Sequence, residues 1–192
     1  MQPFEVVCAP YTLYVAPVGT AMPKIDAVPA GPWAPLGVSG DLSYSDKGIT
    51  ITNDQTVGSF TPAGGTTVRK QWRQAESSKM SLELADLSPA SFAQALDVAL
   101  NTVAANDTDA GYDEFEVYRG VQVVSHAVLA RGISPVDESL SAQFQYPCAV
   151  QAGNLSIVLS KAGPALLAIE FEAIMITPGV LAQWVMQTAA QL

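Results

Sequence analysis

The chain is 192 residues long, with 49% hydrophobic and only 14% charged residues, against about 25% charged in an ordinary soluble domain. That balance excludes intrinsic disorder as the main state. A net charge of −9, from 9 basic and 18 acidic residues, argues against nucleic-acid binding, which needs cations to displace counterions from phosphates, and so few charges leave neutral surface for other subunits to cover.

The dominant period along the chain is two. Tyr11 to Pro17 is aromatic and β-branched and predicts a first strand. Residues 17 to 40 carry Pro17, Pro23, Pro29, Pro32 and Pro35, too many for regular ladder hydrogen bonds. They predict a long ordered loop with Trp33 as its anchor. Asp41 to Ser45 alternates polar and apolar, and Ile49-Thr50-Ile51-Thr52 alternates again. Thr61-Pro62-Ala63-Gly64-Gly65 is a turn signal, after which Thr66 to Arg73 returns extended and basic. Residues 46 to 73 thus predict a long hairpin or arm with a Gly-rich tip and no apolar period to bury it.

Lys79 to Ala85 is the cleanest strand, with Met80, Leu82 and Leu84 on one face. A helix follows: Ser88 suits the N-cap, Pro89 suits the first turn, and Phe92, Ala95, Leu96, Ala99 and Leu100 share one face. Asn101 to Gly111 reads as loop. Phe115–Tyr118, Val121–Arg131, Gln143–Val150 and Leu166–Thr177 predict further strands, and Thr177-Pro178 opens a short C-terminal helix with Leu181, Trp184 and Val185. No repeat or linker divides the chain. Many strands around one helix predict a single mainly β domain over residues 1–192, a sandwich or barrel with a flanking helix.

Catalytic chemistry has little material. His126 is the only histidine, and no Gly-x-Ser-x-Gly elbow accompanies it, since Gly37-Val38-Ser39-Gly40 misses the spacing. It reads as a sheet histidine at a core edge or interface. One histidine and two distant cysteines cannot make a zinc site, and phosphate-binding and dinucleotide-binding glycine motifs are lacking. Asp107-Thr108-Asp109-Ala110-Gly111-Tyr112-Asp113 misplaces the glycine of a calcium loop and reads as a solvated acidic loop. No cofactor and no metal is expected, and no enzyme activity. Met1-Gln2-Pro3-Phe4-Glu5 lacks the basic start of a secretory signal, and Glu170 and Glu172 interrupt the most apolar stretch, so no membrane contact is expected. Cys8 and Cys148 are expected as free thiols, and the sequons at Asn106 and Asn154 as chance matches. Arg69, Lys70 and Arg73 cluster beside Trp72; a basic arm meeting an acidic neighbour explains them better than a nucleic-acid patch.

Several stretches together resemble the tail tube (major tail) proteins of long, non-contractile-tailed phages. They are Leu13 to Ala21, Leu36-Gly37, Gly40 to Ser45, Gly48-Ile49-Thr50-Ile51, the arm, Lys79 to Leu87 and the Ser88-Pro89 helix. The resemblance covers about half the chain and includes no catalytic motif. It implies a structural virion protein, assembled in the bacterial host cytoplasm, whose β-sandwich subunits form rings of six that stack into a tube. A long loop reaches the next ring, and the channel passes the genome. The implied partners are the subunit itself, the tail tip, tape measure and tail terminator proteins, and double-stranded DNA in transit without specific binding. The inter-subunit arm would then use Ile49, Ile51, Val57, Phe60, Val68, Arg69, Lys70, Trp72 and Arg73, with further contacts along residues 17–40. A conduit wall should be neutral to acidic so that DNA slides. Glu83, Glu170 and Glu172, which alternation aims off the core, are the candidates for it. Three other readings stand beside this one. They are an Hcp-like secretion tube subunit, a carbohydrate-binding virion β-sandwich, for which Trp33, Trp72 and Trp184 are too scattered, and a hydrolase using His126.

Overall fold

The computed structural model describes residues 10–37, 39–106, 109–118, 120–134, 137, 139–154, 157, 165–176 and 179–189. Cys8, the Thr177-Pro178 pair and parts of the acidic loop and of both sequons lie outside the described residues. Among the described residues ten strands and one α-helix follow in chain order: β1 Thr12–Pro17, β2 Ala34–Pro35, β3 Tyr44–Phe60, β4 Lys70–Leu84, α1 Pro89–Leu96, β5 Asn101–Val103, β6 Tyr112–Glu114, β7 Ser125–Ile133, β8 Ser141–Gln151, β9 Leu167–Ala173 and β10 Gln183–Met186. The protein is mainly β, as its period of two predicts, with one short flanking helix.

Eight strands form one antiparallel sheet in the order β2-β1-β7-β8-β9-β4-β3, with β10 also paired to β8. The sheet folds over on itself at β8. The first half of β8 pairs with β10, from Ala142 to Gln145, and its last three residues pair with β9. Between them lies Pro147, which has no N–H to give to a ladder. Opposite it, the β7–β8 register slips between His126 and Val128. This bulge bends the strand and shifts its alternation, so that Phe144, Tyr146 and then Ala149 all reach the main core.

That core brings Leu13, Val128, Ala130, Phe144 and Tyr146 from one half of the sheet against Met80, Leu82, Leu84, Leu167, Ile169 and Phe171 from the other. The barrel is not closed. Tyr44 bridges the gap between β3 and β1, where its hydroxyl accepts from Leu13 N at 3.0 Å and donates to Leu36 O at 2.9 Å.

The Pro-rich stretch covers the outer face of the β1–β7–β8 half. Trp33 is buried with Ala16, Ala127 and Leu129, and its Nε1 donates to Ala21 O at 3.1 Å. Gln143 Nε2 donates to Lys24 O, and Gln145 Nε2 to Gln143 Oε1. Both faces of β7 are therefore apolar from Ala127 to Ala130. Trp33 is the anchor that its place in the loop predicts.

Several local expectations are corrected. Asp41–Ser43 belongs to a 3₁₀ turn, Gly40–Ser43, rather than a strand: Gly40 takes φ +60° against Thr12, and Leu42 points into solvent. The helix begins as expected, with the Ser88 hydroxyl accepting from Ser91 N, but Asp97 adopts φ +56° and ends it before Ala99 and Leu100. Strand structure around Phe115–Tyr118 lies earlier, at β6, which pairs with β5 inside the expected 101–111 loop; Phe115 leaves the ladder to stack on Phe92 at 6.0 Å. Strand β7 starts at Ser125 rather than Val121, and β9 ends at Ala173, leaving Ile174, Met175 and Ile176 exposed. Finally, Trp184 and Val185 belong to strand β10, because Trp184 packs edge-on to Phe144 at 5.4 Å where a helix could not pair with β8.

Burial pushes the Tyr44 hydroxyl up to about 12. An unfolded tyrosine ionises near ~10, so between those values the unfolded chain loses its proton first and stability falls as pH rises. Tyr44→Phe should flatten this alkaline slope. At neutral pH it should cost about 1–3 kcal/mol in urea denaturation, because Leu13 N–H and Leu36 C=O lose a buried partner.

Candidate assembly interface

Strands β3 and β4 leave the core together. At the base, Ile49 and Ile51 pack partly buried against the core, and Ser78 marks the exit. Its hydroxyl donates to Asn53 Oδ1 at 2.5 Å and lies 2.7 Å from the Tyr146 hydroxyl, which burial raises above its usual pKa. Beyond this point the ladder continues from Asp54–Ser77 to Phe60–Lys70. At ~3.3 Å per residue that is a ribbon roughly 20 Å long.

Both faces of the ribbon are open. Every residue of β4 from Lys70 to Glu76 is exposed, and so is every residue of β3 from Thr52 to Phe60 except Gly58. The register places Phe60, Trp72 and Lys70 on one face and Val57 and Arg73 on the other. Arg73 pairs with Glu76 at 2.5 Å and donates to Gln55 Oε1 at 3.0 Å, which fixes the second face. Val57, Phe60, Val68 and Trp72 are each about half exposed, with Trp72 at 45%. A two-stranded hairpin alone in water is marginal, and this one presents apolar side chains on both sides.

Gly58 explains part of its shape. It is buried although it lies on the arm, because Trp72 and Gln74 fold across it: a Cβ there would meet Gln74 Nε2 at 2.6 Å and Trp72 Cε2 at 2.8 Å. The glycine lets an aromatic ring pack close against the ribbon.

The three candidate wall carboxylates share the outer face of β4 and β9. Glu83 lies 2.6 Å from Lys47, and Lys79 lies 3.1 Å from Glu170 and 3.9 Å from Glu172. The hydrogen bond from Lys47 lowers the Glu83 pKa, and those of Lys47 and Lys79 are raised by the hydrogen bonds to Glu83 and Glu170. Three carboxylates against two ammonium groups leave one negative charge, so the face is close to neutral. The alternation around Glu83 is plain from sequence; the Lys47 and Lys79 partners are not, because they depend on the cross-strand register.

A cleft of about 650 Å³ between the base of β3 and β10 is lined by Tyr11, Tyr44, Ile49, Ile51, Phe144 and Trp184 among others. His126 lies elsewhere, at the start of β7, donating from Nε2 to Asp97 Oδ1 at 3.0 Å beside Phe171. There it ties the end of α1 to the sheet. Among the described residues no group of three or more His, Cys, Asp or Glu is placed to hold a metal, and no helix is long and apolar enough to cross a membrane. Cys148 is a buried free thiol. Neither the protein-family models nor the curated proteins include a match to this chain.

Gly58→Ala should move the Trp72 indole. Its Nε1–H NMR signal is expected to shift while those of Trp33 and Trp184 hold, and the melting temperature should stay within about 2 °C, since the arm lies outside the core. A falling melting temperature would show that the arm stabilises the core.

Proposed function

We propose that this chain is a structural subunit that polymerises with itself, of the tail tube type: rings of six, stacked into a tube through the arm, with the channel passing DNA. The observation that carries this reading is the ribbon itself. It is a paired, apolar, basic projection of about 20 Å at ~3.3 Å per residue, exposed on both faces among the described residues, and a second copy of the chain would cover it. The resemblance of the flanking stretches to tail tube proteins supplies the architecture. In such a tube the partners are neighbouring subunits and the tail tip, tape measure and tail terminator proteins, and the place is the virion tail.

The near-neutral face of Glu83, Glu170 and Glu172 suits a channel wall. A wall with free cations would hold DNA through counterion release; here Lys47 and Lys79 are each engaged by carboxylates.

Electron microscopy of the concentrated protein tests the reading, with rings or tubes expected. Deleting residues 58–66 should leave a folded monomer with an unchanged melting temperature, since the arm lies outside the core, and abolish tubes. Tubes of normal length from the deleted protein would overturn the role of the arm. Amides from about Asp54 to Val68 should exchange slowly only after assembly. Glu170→Lys should allow tube formation yet slow genome ejection, with the defect easing as salt rises. Ejection at the normal rate would remove this face from the channel wall.

A further inference from the structure

The self-assembly reading does not say what the arm docks on, and the charge distribution of the chain supplies a candidate. Of 18 carboxylates, residues 55–75 hold none, while they carry Arg69, Lys70 and Arg73. Residues 101–124 lean the other way: five carboxylates, Asp107, Asp109, Asp113, Glu114 and Glu116, against one cation, Arg119. The second segment forms a lobe. Its β5–β6 hairpin and the chain running on to β7 are held to α1 by the Phe92–Phe115 stack.

The lobe is apolar as well as acidic. Tyr112, Val117, Tyr118, Val123 and Val124 are exposed, and Val121 is 94% exposed. The segment 115–124 has the β-branched and aromatic content of a strand, yet its described residues belong to no strand. Asp109, Asp113, Glu114 and Glu116 stand exposed beside it, and among the described residues none of them is in an ion pair. The same holds for Arg69 and Lys70 on the arm, whereas Lys47 and Lys79 are already engaged.

Resting on the self-assembly reading, we propose that this lobe is the receptor for the arm of a second copy of the chain. Phe60 and Trp72 cover the apolar strip around Tyr118 and Val121, and Arg69 and Lys70 face Asp113 and Glu116. An aromatic centre inside a charged rim is the usual build of an interface, and opposite charges set its register. Both surfaces are exposed on one molecule, so they do not cover each other within it. The contact joins two different patches and is therefore heterologous, the type that propagates into rings or open stacks rather than stopping at a dimer.

A charge exchange tests the pairing. Arg69→Glu with Lys70→Glu, and separately Asp113→Lys with Glu116→Lys, should each raise the critical concentration for assembly by about tenfold or more, because each sets like charges face to face. All four changes together should return it to within about threefold of the parent. The readouts are sedimentation and electron microscopy, with thermal melts confirming the fold. Should a charge variant misfold, Tyr118→Ser and Val121→Ser provide the second arm: exposed in the monomer, they should leave the melting temperature unchanged and still raise the critical concentration. If the lobe variants assemble like the parent while the arm variant fails, the lobe is not the receptor and self-assembly through the arm stands. If the fourfold variant is no better than either pair, the proposed partnering is wrong. If the parent chain itself never assembles, the self-assembly reading falls first.

Discussion

One strand has to serve both halves of this molecule. A flat sheet of eight strands would leave one apolar face in water; here β8 turns the corner, so the inner faces of both halves meet. The turn depends on Pro147 and the extra residue beside it. With no N–H at that point, a continuous ladder would lose a rung in any case, and the bulge uses the gap to redirect the strand. Core residues on either side of the bend, Tyr146 and Ala149, are both fully buried. Everything hung on the sheet takes its direction from that corner, including the plane in which β3 and β4 leave it.

The bend also explains why the arm can be rigid at its root and open at its end. Ser78 sits where alternation still points inward, and its hydroxyl is shared with Asn53 of β3 and Tyr146 of β8. A hydrogen-bonded trio of this kind, with Ser78 and Tyr146 buried, specifies one arrangement of three strands. Past it the ribbon is held by its own cross-strand bonds, the ring of Trp72 over Gly58, and Arg73 with Glu76 and Gln55. Stiff root and exposed tip are what a reaching element requires: less conformational freedom is lost when the tip is finally covered.

Much of this was legible in the sequence, and the failures have a common cause. Lys79 to Leu84, the Ser88 cap and the turn at Thr61–Gly65 are local signals, and the structure has a strand, a helix start and a hairpin tip at those places. Trp33 was identifiable as an anchor because nothing else apolar of that size stands in the Pro-rich stretch. The misreadings lie where a local pattern competes with a distant partner. Val121 to Val124 looks like strand but finds no rung, whereas Trp184 and Val185 look like part of a helix but find β8. Asp97 ends the helix early through a left-handed backbone that an apolar period cannot reveal. The acids on β4 and β9 were visible by alternation, but Lys79 comes between Glu170 and Glu172 only through the register of two strands ninety residues apart.

The Pro-rich cover has a different consequence. Between Pro17 and Trp33 it contributes no rung to the large sheet, and it holds its place through Trp33, Met22 and the Lys24 carbonyl. Residues between those anchors can be exchanged, added or lost without moving any strand past its neighbour, because surface connections tolerate insertion at little thermodynamic cost. A lineage built on this plan can therefore keep its shape while its letters drift, and descendants will share the spacing of a few anchors long after overall identity has faded.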